Sequence, residues 1–307
     1  MARPDGANAP RPIDLTGSVA LVAVMLLLAM NQVLIKHTNE GFQPAFAAGL
    51  RSALAAVTVF LWMKLRGRPR GFNRTVAIEG SMMGLVFAGQ FLCLFFALDQ
   101  TTVGRVSILF YSMPLWLALM SHGLLPDERM TRIKGVGLVL AFSGTVLALL
   151  DRGDAGSGAS LQGDLLALAA AIGWAAQMVI ARRPVMAAAG AEQQLLWMVT
   201  VSAPVLLAVS PAFGPLVREL QPVHLAEVLV QGVLIVPGTF IVFLSLMSAY
   251  SSTTVASFSF LTPIFGLAIG RLVLSEPLGL RIVAACLLVG AGILLINHRA
   301  TRPTHES

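Results

Sequence analysis

Ten stretches of about twenty apolar residues, each closed by a short polar or Gly/Pro-rich cluster, fill almost the whole of this sequence. A bilayer core about 30 Å thick is crossed by about 20 residues of α-helix. Inside that core every backbone N–H and C=O must find its partner within the segment. Repeated apolar segments of this length therefore predict an all-α integral membrane protein. The predicted spans are 17–36, 43–65, 75–98, 103–122, 132–150, 163–181, 191–210, 225–249, 254–274 and 280–297. Charge supports the same solvent. Only 12% of the residues are Asp, Glu, Lys or Arg, against about 25% in a soluble domain.

The basic balance, +6, is explained by retention of Lys and Arg on cytoplasmic loops rather than by nucleic-acid binding. With the N-terminus inside, 14 of the 21 Lys and Arg side chains fall on the cytoplasmic side and six opposite, and Arg51 lies within a span. This predicts both termini in the cytoplasm and the chain in the inner (plasma) membrane, in contact with lipid. Cys93 and Cys286 both lie in apolar runs, with no metal-ligand spacing and no disulfide framework. Neither the G-x-S-G serine of intramembrane proteases nor an Asp-rich metal motif occurs, so no catalytic residue, metal or cofactor is expected. The Gly-rich stretch Gly153–Gly158 lacks the phosphate-loop lysine and reads as a linker.

The two halves repeat at an offset of about 148 residues. Gly17…Asn31…Lys36 matches Gly163…Gln177…Arg182, Gly89-Gln90-Phe91 matches Gly238-Thr239-Phe240, and Pro114, Glu128 and Gly144 match Pro263, Glu276 and Gly292. The order and the near-constant offset define five-span units at 17–150 and 163–297. A linker at 151–162 joins them, a segment at 1–16 precedes them and a tail at 298–307 follows. Because five is odd, the second unit enters the membrane from the opposite side. Inverted repeats of this kind mark transporters, with a substrate site near the midplane between the copies. A channel is disfavoured, since no filter loop or charged ring is visible.

The motif pieces Pro114, Asp127-Glu128 and Gly135…Gly144, with their repeats Pro263, Ser275-Glu276-Pro277 and Gly290…Gly292, resemble the ten-span EamA group of the drug/metabolite transporter superfamily. The resemblance covers nearly the whole chain. It implies a secondary carrier or exporter of amino acids, drugs, nucleotide sugars or other metabolites, and the chain looks most like the YddG-type amino-acid exporters. Nucleotide sugars would favour more Lys or Arg at depth than this sequence carries.

Polar groups at membrane depth are the candidates for substrate contact. They are Asn31, Gln90, Ser107, Tyr111, Trp174, Gln177, Thr239, Ser257 and Phe260, a neutral and partly aromatic set suited to a small amphipathic substrate. Matched pairs such as Asn31 with Gln177 and Gln90 with Thr239 are expected to face one another across the repeat axis. Each Ser or Thr has a competing role in helix packing. Pro114 and Pro263 are candidate hinges, because proline removes a helix hydrogen bond and kinks a span. Lys36, Arg51 and Arg105 are candidates to meet a substrate carboxylate, but snorkelling to the interface is the expected role of each. No carboxylate sits deep in a span; Glu79 and Glu227 lie about one turn in and Asp99, Asp164 and Glu276 at span ends. This argues against coupling through a buried acid. Spans two and seven are expected against lipid, and spans five and ten between the halves or between subunits.

Overall fold

The computed structural model describes residues 14–67, 73–124, 132–151, 160–249, 258–259 and 261–297. Helix starts follow local chemistry. Asp14 caps α1 (Leu15–Gly41), its Oδ1 accepting from Gly17 N at 2.7 Å. Gln43 caps α2 (Pro44–Leu65), where Pro44 takes the first position, which needs no N–H. Asn73 caps α3 (Arg74–Gln100) and Thr102 caps α4 (Val103–Phe110). The chain breaks at Tyr111–Ser112 and resumes as α5 (Met113–Leu124), followed by α6 (Arg132–Leu150). Ser160 caps α7 (Leu161–Ala181); a short α8 (Pro184–Ala189) leads into α9 (Ala191–Val209). Pro222 opens α10 (Pro222–Leu229), which widens into a π-helical turn (Val230–Ile235) and continues as α11 (Val236–Ala249). The cause is Pro237: it has no N–H for the carbonyl a turn earlier, and Val236 N instead reaches back five residues to Gln231 O. The last helices are α12 (Leu261–Val273) and α13 (Leu280–Asn297).

Eight helical stretches, counting α4–α5 and α10–α11 as one each, are long and apolar enough to cross a membrane; α12 and α13 are shorter apolar helices. Together they are ten spans in two inverted five-helix repeats. Their packing carries the symmetry. α6 lies on α13, α2 on α9 and α4 on α12, pairs that exchanging the repeats leaves unchanged. The contact of α3 with α7 is answered by that of α1 with α10 and α11, and α3 with α9 by α2 with the π-helical turn. Large apolar side chains such as Val139, Phe142, Leu26 and Leu234 stay exposed around the bundle, as a lipid-facing surface requires.

One expectation is met here and one changes. Spans five and ten do pack between the halves, at backbone distance. A Cβ on Gly137 would stand 2.8 Å from Gly292 O, one on Gly144 2.7 Å from Ala285 O, and one on Gly292 2.5 Å from Ala141 N. Spans two and seven, expected against lipid, instead bury a face against each other. Gly49 admits Leu207, and α2 buries Arg51, Ser52, Ala55 and Val59. The small residues in these spans serve helix contact.

Candidate functional site

The bundle has two ends. The near face holds the start of α1 and the end of α13. The distal face holds the end of α1, the start of α4 and the start of α7. Midway between them an aromatic group joins α4 to α7. Phe110 stacks on Trp174 at 4.9 Å between centroids, and Tyr111 meets the same indole edge-on at 5.6 Å. Tyr111 and Phe110 are buried because α4 ends here, and Ser112 ties off its last turn by donating to Leu109 O at 2.6 Å. Gly173, one residue before Trp174, brings α7 onto Gln90 of α3; a Cβ there would lie 3.1 Å from the Gln90 Cβ. On α1, Gln32 Oε1 accepts from Ser107 Oγ at 2.6 Å, so Ser107 ties α1 to α4.

The helices α1, α3 and α7 carry buried polar atoms without a hydrogen-bond partner: Asn31 Oδ1, Gln32 Nε2, Gln90 Oε1 and Gln177 Nε2. Leaving such an atom unpaired costs about 1–3 kcal/mol. Four of them on three helices at the interface of the repeats form an unsatisfied polar lining. Thr239 is different. Although buried, its hydroxyl donates back to Ile235 O in its own helix. Ser257 and Phe260 lie outside the described residues. The expected facing pairs are not joined: among the described residues no hydrogen bond links Asn31 to Gln177 or Gln90 to Thr239. Inversion is the reason. Asn31 lies about 24 Å along α1 from the near face and Gln177 about 24 Å along α7 from the distal face, so matched residues stand at opposite depths. Pro114 follows the break at Tyr111–Ser112 inside the fourth span. It is the second residue of α5, and Pro263 is the third of α12.

The distal face is closed by polar contacts between repeats. Glu276 accepts from Val103 N at 2.8 Å and Gly104 N at 3.2 Å, the free amides at the start of α4, and pairs with Lys36 Nζ at 3.3 Å. Ser275 holds the turn with a φ of 54°, and bare Gly270 leaves the room, since a Cβ there would stand 2.6 Å from Glu276 Oε2. Arg105 is enclosed with Asp164, which is 0% exposed; its Nε donates to Asp164 Oδ1 at 3.0 Å, and its Nη atoms donate to the Asp151 and Ala148 carbonyls at the end of α6. Arg218 holds Asp99 through both carboxylate oxygens, at 2.7 and 3.1 Å. His37 Nδ1 lies 2.7 Å from Glu227 Oε1. The loops add backbone bonds, Gln43 N to Leu216 O and Arg218 N to Gly41 O, each 3.0 Å. At the near face Arg183 pairs with Glu79, at 3.8 Å.

These contacts correct the snorkelling expectation for all three cations. Lys36 turns to Glu276 and Thr101 O, and Arg105 to Asp164. Arg51 stays inside, 2% exposed, over the rings of Phe91 and Phe95. Sequence reasoning missed Asn39 and Gln231, and gave Arg51 a place at the interface. The signal for burial of Arg51 was its place as the one charge of its span away from the end, seven residues past Pro44.

The comparisons with known proteins agree with this architecture. The model of the EamA-like transporter family matches twice, over residues 15–150 and 161–298. Similar curated proteins are the uncharacterized transporters YvbV (25% identical, 92% of each chain covered) and YoaV (24%, 90% of this chain and 95% of that one) of Bacillus subtilis strain 168. Another is the uncharacterized transporter sll0355 of Synechocystis sp. strain PCC 6803, 27% identical over 93% of this chain and 91% of that one. A solved crystal structure, 21% identical, shares the fold with a TM-score of 0.65 over 91% of this chain and 97% of that one. Two matching repeats that together fill nearly the whole chain, each a five-helix unit inverted on the other, place it in the EamA-like transporter family of the drug/metabolite transporter superfamily, as a multi-pass membrane transporter.

Proposed function

We propose that this transporter is a secondary carrier that exports small amphipathic metabolites, amino acids foremost, by alternating access. The observation that supports the substrate class is the lining at mid-membrane. The unpaired amide atoms of Asn31, Gln32, Gln90 and Gln177 stand on helices α1, α3 and α7, which pack with α4 about the stacked Phe110–Trp174–Tyr111 group. A zwitterion with an apolar side chain supplies hydrogen bonds to the first and surface to the second. Alternating access is supported by the contacts between repeats that close the distal face, as one half of a rocking cycle requires. The positive-inside asymmetry supports both termini in the cytoplasm of the plasma membrane, with the distal face outside.

The test is uptake into proteoliposomes of purified protein, with a panel of labelled amino acids, with and without a pH gradient. Saturable uptake of amino acids without ATP is expected. Uptake of nucleotide sugars or cationic drugs with no amino-acid flux overturns the substrate reading. Reporter fusions at Ser307 and within Gly153–Gly158 should lie on opposite sides of the membrane; finding both on one side rejects the topology.

A further inference from the structure

Arg51 stands out from the other charged groups of the membrane interior. Arg105 and Lys36 each have a carboxylate, whereas Arg51 has none. Its guanidinium carbon sits 4.1 Å from the Phe91 ring centroid and 4.9 Å from that of Phe95, and no nitrogen of it donates a hydrogen bond; Nη1 is fully enclosed without a partner. An arginine with five N–H donors and no acceptor, inside a membrane, is retained only where something supplies the missing anion. The ring contacts hold the cation in place by its face. A guanidinium held by its face keeps its N–H fork free, the geometry that grips a carboxylate through two parallel bonds.

The surroundings favour a site that receives a ligand. Phe91 follows Gln90, whose Oε1 is unpaired, so the guanidinium and the polar lining lie at the same turn of α3. Across from Arg51 runs the π-helical turn. Gly232 lies against α2, where a Cβ would stand 2.9 Å from the Arg51 carbonyl oxygen. Its neighbour Gln231 is held by Thr38, 2.9 Å from Nε2, and keeps Oε1 unpaired. Asn39 donates to Phe95 O at 2.8 Å and keeps Oδ1 unpaired. Unpaired amide oxygens, which accept from an ammonium, thus stand on the helices that pack against α2 and on the π-helical turn, and the guanidinium is the one described cation here that a carboxylate would complete.

We propose that Arg51 binds the carboxylate of the transported substrate, between α2, α3 and the π-helical turn, so that the carrier selects solutes bearing a free carboxylate. This rests on the carrier reading above and narrows it. The amides and aromatic rings accept many amphipathic solutes; the unpaired guanidinium discriminates by charge.

The experiment measures binding to the purified full chain in detergent, by thermal stabilisation, for L-leucine, L-leucinamide and 4-methylpentanoate. The first bears both charged groups, the second lacks the carboxylate and the third lacks the amine. The expected result is binding of L-leucine about ten- to a hundredfold tighter than L-leucinamide, the range of a charge-assisted hydrogen bond. Arg51→Gln should bring the two within about threefold, with the amide's own affinity kept as proof of a folded site, and Arg51→Lys should restore part of the gap. Equal binding of L-leucine and L-leucinamide by the wild-type chain overturns the proposal and leaves the carrier reading standing, as does a gap unchanged in Arg51→Gln. Binding of 4-methylpentanoate without L-leucine keeps Arg51 as the carboxylate site and rejects amino acids as substrates. Failure of both carboxylate-bearing probes overturns the proposal.

Discussion

Replacing Asp164 by alanine isolates what one buried carboxylate does in this bundle. Asp164 is fully enclosed in the first turn of α7, and the Arg105 side chain that it holds is 5% exposed. The substitution removes both oxygens that accept from Arg105 and leaves the guanidinium inside with only the Ala148 and Asp151 carbonyls. Breaking a buried pair by deleting one partner costs about 3–5 kcal/mol, because the remaining charge is uncompensated. That is a shift of over about a hundredfold in the folded ratio. Removing both charges, as Arg105→Met with Asp164→Leu, should cost less, about 1–2 kcal/mol, since what remains unpaired is the two carbonyls at the end of α6. The double-mutant coupling is then at least about 2 kcal/mol, well above the ~0.6 kcal/mol average of polar contacts between membrane helices. The assay is reversible unfolding in mixed micelles of mild detergent and dodecyl sulfate, read by helical circular dichroism. A loss under about 1 kcal/mol for Asp164→Ala, or a double variant as unstable as the sum of its singles, refutes the reasoning.

Gly292→Ala should lower stability by about 1–3 kcal/mol, because its methyl group would meet Gly137 O and Ala141 N of α6 at 2.5 Å; a melting temperature unchanged in detergent would show that the seam can part freely. Glu276→Gln removes the charge that holds Lys36 and the start of α4. In a chain lacking Cys93 and Cys286, a Ser107→Cys thiol should then react about tenfold faster with an impermeant maleimide added from the distal face; no acceleration would mean that this contact does not close the face. Gln90→Leu and Gln177→Leu should each weaken substrate binding several-fold, about 1 kcal/mol, with melting temperature kept; normal transport in both would remove these amides from the site.

The spans were legible because lipid imposes one rule on every residue of a crossing helix; the starts set by caps at Asp14, Asn73 and Ser160 and by the prolines at 44 and 222 fall within about three residues of the predicted ones. The repeat was legible for the same reason: matched glycines and prolines answer local demands that recur. The fate of the cations was not. Snorkelling and burial begin from the same residue, and the choice falls to groups far away in sequence. Asp164 for Arg105, Glu276 for Lys36 and the two rings for Arg51 are brought in by tertiary packing. The depth of matched residues was recoverable in principle, since inversion alone puts Asn31 and Gln177 in opposite halves.

The seam of α6 with α13 also sets a clock on assembly. Gly144 meets Ala285, about 140 residues further along the chain. At about 5–20 residues per second of synthesis, α6 waits about 7–30 seconds in the membrane before its partner exists. Throughout that interval its stripe of small residues faces lipid or whatever helix passes. A ribosome stalled in the loop before α13 therefore leaves two half-carriers with their mating surface open, and membrane quality control would meet that surface as a recognisable sign of an unfinished chain.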